Sequence, residues 1–341
     1  MSQTKVQLIS GTSSQDVTFD DANVNSLNGG PLAGMRNRII NGNFDFWQRG
    51  TSLTFSATGP YLADRWAVGG GTSTTVSRQS FTPGQTDVPG EPTYFLRWDI
   101  TNNSQNYEAN QKIEDVRTFA GQQATLSFYA RRTSGTVSFN ARIVQDFGTG
   151  GSPSSLVVTS LGTPSLTTSW QKFTYTVSVP SISGKTLGTD GNSSLWTSLQ
   201  IGNTGTGVIE LAQVQFEAGS VATPFERRSY GLELEMCKRY FQKAGNVHYG
   251  ITEGTTLFRL QMPLFPVMRT TPSATVITGG VFNTRYSGDT SITTPSVQDV
   301  TPDAQSIWIG VQSSGLTSGV AIFGRSQYDD TGNFLAVSAE L

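Results

Sequence analysis

The sequence predicts an all-β protein: two β-sandwich, jelly-roll-like domains in series, joined by one short linker helix and preceded by an extended N-terminal arm. Three observations predict it. Thr, Val, Phe and Tyr, which suit the pleated, half-buried surface of a strand, recur in short runs between clusters of Gly, Asn, Asp and Ser that suit turns. Charged residues are only 14% of the chain, against about 25% in ordinary soluble domains, so polarity comes from hydroxyl and amide side chains. Only one segment carries a convincing helical period. The 341 residues, 36% of them hydrophobic, supply about two domains with real cores.

The elements follow in order. Residues 1–35 read as an anchoring arm. Val6, Leu8 and Ile9, then Val17 and Phe19, are apolar enough to dock on a partner, within a polar stretch that buries little by itself. Residues 36–228 form the first domain. Strands are expected at Tyr94–Ile100, Ala124–Ala130, Val137–Val144, Trp170–Val177 and Val208–Glu217, where apolar and polar residues alternate or run together between turn signals. Residues 229–243 read as the helix: Tyr230, Leu234, Cys237 and Phe241 recur at helical spacing, with Ser229 as N-cap and Cys237 toward the core. Residues 244–341 form a second β region. Strands are expected around Thr256–Met262, Thr275–Thr278, Ser306–Val311 and Ser318–Phe323, and Pro263, Pro266, Pro272, Pro295 and Pro302 sit where a central strand is disfavoured.

Composition excludes several function classes. The formal net charge is −2, from 23 basic and 25 acidic residues, and no basic run tracks a phosphate backbone, so nucleic-acid binding is not expected. The single cysteine, Cys237, forbids an intrachain disulfide, and with the single histidine, His248, it makes a zinc site untenable. The N-terminus shows no secretory apolar region and no stretch suits a membrane span. The chain is therefore expected to fold in a reducing cytoplasm without membrane insertion, and release inside an assembled particle is one route by which it could act outside.

Two blocks carry a resemblance. Arg36-Asn37-Arg38-Ile39-Ile40-Asn41-Gly42-Asn43-Phe44-Asp45-Phe46-Trp47-Gln48-Arg49-Gly50, followed by Tyr61-Leu62-Ala63-Asp64-Arg65-Trp66, resembles the opening of a family of bacteriophage tail-fibre and spike (virion structural) proteins. Gln215-Phe216-Glu217-Ala218-Gly219-Ser220-Val221-Ala222-Thr223-Pro224-Phe225-Glu226, then Cys237-Lys238-Arg239-Tyr240-Phe241 and the closing Ala339-Glu340-Leu341, are similar to the same group. The resemblance covers roughly residues 36–241 and the C-terminus. It implies a jelly roll like that of carbohydrate-binding modules, a place in a virion, partners among other virion proteins through the arm, and a homotrimer. The residues read the same way on their own. Asn41-Gly42-Asn43 supplies a tight turn, Phe44, Phe46 and Trp47 supply core bulk, and Asp64 and Arg65 are expected to pair beside Trp66. Pro224 is expected to end the last strand, with Phe225 packing back.

Catalytic chemistry is scarce. Gly184-Lys185-Thr186 lacks the glycine that a phosphate loop needs five residues earlier, where Val179 stands. His248 reads as a surface or interface side chain. Glycosidases need two carboxyls at ~5–9.5 Å in a cleft, and Glu108, Glu114 and Asp115 have no motif around them. Sugar binding fits better, because aromatic rings stack on pyranose faces while amides and charged groups take hydroxyls. The aromatic stock is Trp98, Tyr107, Trp196, Tyr249, Tyr286, Trp308 and Tyr328, of which Tyr107, Tyr286, Trp196 and Tyr328 are the candidate glycan contacts. No cofactor is expected, although Asp146, Asp190 and Asp329-Asp330, in Gly-rich loops, would suit a structural calcium; solvated turn aspartates are the plainer reading. The expected function is a virion component that binds a host surface polysaccharide or receptor. A decoration or adaptor protein without host binding, and a polysaccharide depolymerase, are the alternatives.

Overall fold

The computed structural model describes residues 34–55, 61–69, 74–102, 107–202, 205–244, 248–253, 257–276, 281–286, 290–291, 296–302, 305–312, 321–327 and 335–341. The arm candidates Val6, Leu8, Ile9, Val17 and Phe19 lie outside them.

Residues 52–218 form two antiparallel sheets. The first has six strands, β1 (Ser52–Phe55), β3 (Thr74–Ser80), β4 (Tyr94–Ile100), β11 (Gly207–Ala218), β6 (Gln123–Gly135) and β9 (Gln171–Ser178), in that spatial order. The second has five, in the order β2 (Ala67–Gly69), β5 (Tyr107–Glu114), β10 (Ser194–Ile201), β7 (Asn140–Asp146) and β8 (Val157–Gly162). Sequence neighbours are often not spatial neighbours, so the chain crosses repeatedly between the sheets, as in a jelly roll. Alternation explains the packing. Leu96, Trp98 and Ile100 of β4 and Leu126 and Phe128 of β6 face inward, against Tyr107, Ala109 and Ile113 of β5 and Leu195, Leu199 and Ile201 of β10, in one buried cluster. Each large side chain withdrawn from water there contributes about 1.5–3 kcal/mol.

The first block of the resemblance closes one end of this sandwich. The amide nitrogen of Asn41 donates to the carbonyls of Phe46 (2.8 Å) and Asp64 (3.0 Å), and its oxygen accepts from the Phe46 N–H (3.0 Å). The Trp66 indole donates to the Asn41 carbonyl (3.1 Å). Gly42 lies so close to β11 that an added Cβ would stand 2.1 Å from the Val214 carbonyl oxygen. Here β11 leaves its regular register: pairing with β6 slips between Ala212 and Gln215. The Val214 N–H instead donates to the Gly42 carbonyl (2.9 Å), and the Phe216 N–H donates to the Asn37 side chain (3.0 Å).

Several local expectations change. Asp64 and Arg65 do not pair with each other: Asp64 accepts from the Gln48 N–H (3.1 Å) and side-chain amide (2.6 Å), while Arg65 pairs with Glu340. Arg65 adopts a left-handed conformation (φ 72°) in a tight turn, which sends the two side chains to different partners. The last strand of the sandwich stops at Ala218, before Pro224. The corner is tied back by Glu217, which accepts from the Thr223 N–H (2.8 Å) and hydroxyl (2.7 Å). The helix, α1 (Tyr230–Lys238), is shorter than its periodicity suggests. Phe241 opens strand β12 (Phe241–Ala244), which pairs with β21 (Leu335–Ser338), so strand pairing with the chain end overrides the helical period. Ser229 occupies the N-cap without a side-chain bond, and Cys237 is fully buried.

The remaining strands form a three-stranded sheet, β12, β21 and β15 (Ser273–Val276). A seven-stranded sheet follows in the order β17 (Thr290–Ser291), β16 (Val281–Tyr286), β20 (Ala321–Gln327), β13 (His248–Glu253), β14 (Leu257–Pro263), β19 (Ser306–Gln312) and β18 (Ser296–Pro302). Pro263 and Pro302 each end a strand, where the missing N–H costs least.

Candidate functional site

The outward face of the five-stranded sheet gathers the side chains best suited to a ligand. Antiparallel register puts opposed residues on one face. Trp196 of β10 stands between Lys112 of β5 and Val144 of β7; one row along, Ser198 stands between Asn110 and Arg142; the next row is Glu108, Gln200 and Asn140. Val158 and Ser160 of β8 extend the first two rows. Rows two residues apart are about 7 Å apart along a strand, so ring and polar groups fall within the span of one or two sugar rings.

The geometry is braced. Trp196 is half-buried, its indole N–H donates to the Ser194 hydroxyl (2.7 Å), and the Lys112 ammonium lies 4.3 Å from the ring centroid. Arg142 bridges three strands, donating to the Ser198 hydroxyl (3.0 Å), the Gln200 amide oxygen (2.7 Å) and Glu108 (2.9 Å). Its planar fork thereby locks the acceptors one and two rows along from the ring. Oε1 of Glu108 is buried and has no protein donor. Burial pushes the Lys112 ammonium below its ordinary value, with the nearby Asp146 carboxylate opposing the shift. Beside this plate Val158 is 53% exposed and offers further apolar surface. An indole flanked by fixed donors and acceptors is equipped to hold a polyhydroxylated ring by stacking and hydrogen bonds.

The four sequence candidates separate. Trp196 reaches this face. Tyr107 does not: alternation within β5 turns it inward with Ala109 and Ile113, it is fully buried, and its hydroxyl donates to the Asn102 carbonyl, so it is a core residue and not a glycan contact. Tyr286 ends β16, and its side chain lies outside the described residues, as does all of Tyr328. Of the wider aromatic stock, Trp98 is fully buried and Trp308 is 39% exposed. His248 begins β13, its side chain likewise outside the described residues.

The candidate carboxylates Glu108, Glu114 and Asp115 are each paired with an arginine. Glu108 pairs with Arg142 (2.9 Å), Glu114 with Arg239 (3.0 Å) and Asp115 with Arg117 (3.1 Å). Asp115 lies just beyond the end of β5, in a turn at φ 67°. Asp146 accepts from the Gly148 N–H (3.0 Å) within its own loop, and Asp190 accepts from the Thr149 hydroxyl (2.7 Å), tying two loops together. No group of three or more His, Cys, Asp or Glu that could hold a metal occurs among the described residues, and Asp329 and Asp330 lie outside them.

Arg142, Gln200, Ser198 and Lys112 were not singled out from the sequence. Period-two alternation marks each as outward-facing, but only the pairing of strands β5, β10 and β7 makes them neighbours.

No family model matches the sequence, and no curated protein is similar to it. Solved structures similar to the chain include the enzymatically active domain of tailspike protein 4 of bacteriophage CBA120. That match has a TM-score of 0.35 and 14% identity over 54% of this chain and 21% of that one. The C-terminal family 22 carbohydrate-binding module of Clostridium thermocellum Xyn10B has a TM-score of 0.33 and 13% identity over 58% and 99% of the two chains. The N-terminal tandem of two such modules from Paenibacillus barcinonensis Xyn10C has a TM-score of 0.31 and 12% identity over 84% and 95%. The chain thus spans about a fifth of the tailspike domain, and likenesses this slight carry no function across to it.

Proposed function

We propose that the chain is a structural protein of a phage particle that binds a host surface glycan through the outward face of its five-stranded sheet. The observation that carries the glycan reading is Trp196, presented beside the Arg142–Glu108–Gln200 network. The virion assignment rests on the resemblance of residues 36–66 and 215–241 to tail-fibre and spike proteins. Residues 1–35 attach the chain to other virion proteins, and copies associate as a homotrimer that multiplies weak glycan contacts by copy number. The chain acts by binding, not hydrolysis: the candidate acids Glu108, Glu114 and Asp115 are each paired with an arginine, which leaves no free carboxylate among them.

The test is adsorption of the purified protein to host cells, in competition with infection by the particle. Saturable binding that blocks infection and is lost in Trp196→Ala supports the reading. Binding that survives Trp196→Ala overturns the site. Absence of binding by a protein still present in purified particles favours a decoration role instead.

A further inference from the structure

A second groove lies on the opposite side of the sandwich. A cavity of about 500 Å³ opens over β11, β6 and β9, walled by the loops that carry Pro89 and Phe225. Tyr129 of β6 lies opposite Lys172 of β9 and Ala212 of β11, so the floor is the outward face of the six-stranded sheet. A neighbouring cavity of about 380 Å³ shares Asn43, Phe225 and Arg227 with it.

Three observations converge on the first cavity. Gln213, in the middle of β11, is held at φ 48°, where residues with side chains are rarely found, within the register slip between Ala212 and Gln215. Bulges of this kind re-aim side chains beside functional sites. Next, two amide oxygens are buried without a donor: Oε1 of Gln213 and Oδ1 of Asn43, on residues only 5% and 6% exposed. Their orientation is set, because the Gln213 amide nitrogen donates to the Pro89 carbonyl (2.7 Å) and that of Asn43 to Asp45 (3.0 Å). A buried acceptor calls for a donor. Finally, Lys172 and Arg227 line the cavity while no Asp or Glu does. Arg227 donates to the carbonyls of Gly90 (3.1 Å) and Glu91 (3.4 Å) and Lys172 to that of Thr223 (3.5 Å). These partners are neutral, and neither cation forms a direct ion pair among the described residues, although the Asp45 carboxylate lies near enough to Arg227 to feel its charge.

We propose that this groove is a second saccharide subsite, selective for a carboxylated sugar of the hexuronic acid class. The sugar carboxylate pairs with Lys172 and Arg227, its ring lies against Tyr129 and Phe225, and its hydroxyls donate to Gln213 Oε1 and Asn43 Oδ1. A volume of this size suits one or two sugar rings. The inference rests on the glycan-binding reading for the class of ligand, but it uses no residue of the Trp196 face, so the two stand or fall separately.

The experiment is calorimetric titration of the full chain with digalacturonate and with its methyl ester. The free acid is expected to bind saturably and to weaken as salt is added, and the ester to bind at least about tenfold more weakly, the loss of one charge-assisted contact. Lys172→Gln, an exposed change, and Gln213→Gly, which tolerates the positive φ while removing the amide, should each weaken the acid by at least about tenfold. Trp196→Ala should leave it unchanged. Equal affinity for acid and ester, retention of wild-type affinity in both groove variants, or no saturation up to on the order of 10 mM overturns the subsite. Loss of uronate binding in Trp196→Ala also overturns it, by moving the ligand to the other sheet.

Discussion

Glu340, the penultimate residue, forms an ion pair with Arg65, whose guanidinium also lies 3.4 Å from the ring centroid of Tyr240. Arg65 is fully buried within the first block of the resemblance, and Glu340 is completed by Arg49 at 3.1 Å. A desolvated carboxylate near the C-terminus thereby ties down the turn that carries Arg65. Removing one partner leaves buried charge uncompensated, so Glu340→Ala should destabilise by about 3–5 kcal/mol. Urea denaturation checks this, and Arg65→Ala should cost a similar amount.

Asp64 gives a pH signature. Burial pushes its carboxyl up to about 6, outweighing the Gln48 hydrogen bonds and the Arg49 charge. Its ordinary value is 3.8. Between these values the folded state holds a proton that the unfolded state has lost. The contribution of Asp64 therefore falls as pH rises from about 4 to about 6 and is level above, by at most about 3 kcal/mol. Asp64→Asn should remove this slope. The stability difference between wild type and variant, measured at pH 4 and pH 7, should shift in favour of the wild type at the lower pH.

A second buried carboxylate is held by two arginines. Glu210, fully buried on β11, is gripped by Arg97 and Arg131 at 2.5 Å each, and Arg131 lies 4.9 Å from the Trp170 ring centroid. Both arginines reach solvent, so Glu210→Ala frees them to hydrate, and the loss should sit near the low end for a broken pair, about 3 kcal/mol. Thermal unfolding checks the magnitude.

Gly42→Ala tests the seam between the first turn and the bulged strand. Its Cβ would stand 2.1 Å from the Val214 carbonyl. Backbone must then move, which should cost at least about 1–3 kcal/mol. The expected readout is a lower melting temperature together with faster amide exchange at Val214.

Trp196→Ala should reduce glycan affinity by about tenfold or more, the stacking and packing of one aromatic ring. Lys112→Gln should have a smaller effect, because it touches the edge of the same platform. A glycan array run with both variants separates ring stacking from charge.

Some strands were legible because alternation is a local property: β4, β6 and β9 show in the spacing of their own residues, whereas β5 was not read as a strand. The burial of Cys237 was legible for the same reason. Tyr107 was misplaced because its Asn-rich flank suggested exposure, whereas β5 begins at Tyr107 itself and turns it inward. The helix end at Lys238 could not be read, since Phe241 continues the helical period and is claimed by a strand almost a hundred residues away.

Local patterning thus decided that this chain is all-β and which residues of each strand share a side. The tertiary structure alone decided which strands meet, and with that every site. Trp196 and Arg142 become neighbours, Gln213 is forced into its bulge, and Arg65 finds Glu340 rather than Asp64. The physical reason lies in register. Pairing between distant strands is chosen by the burial of the whole core, and a slip of one residue would turn each of these side chains to the other face.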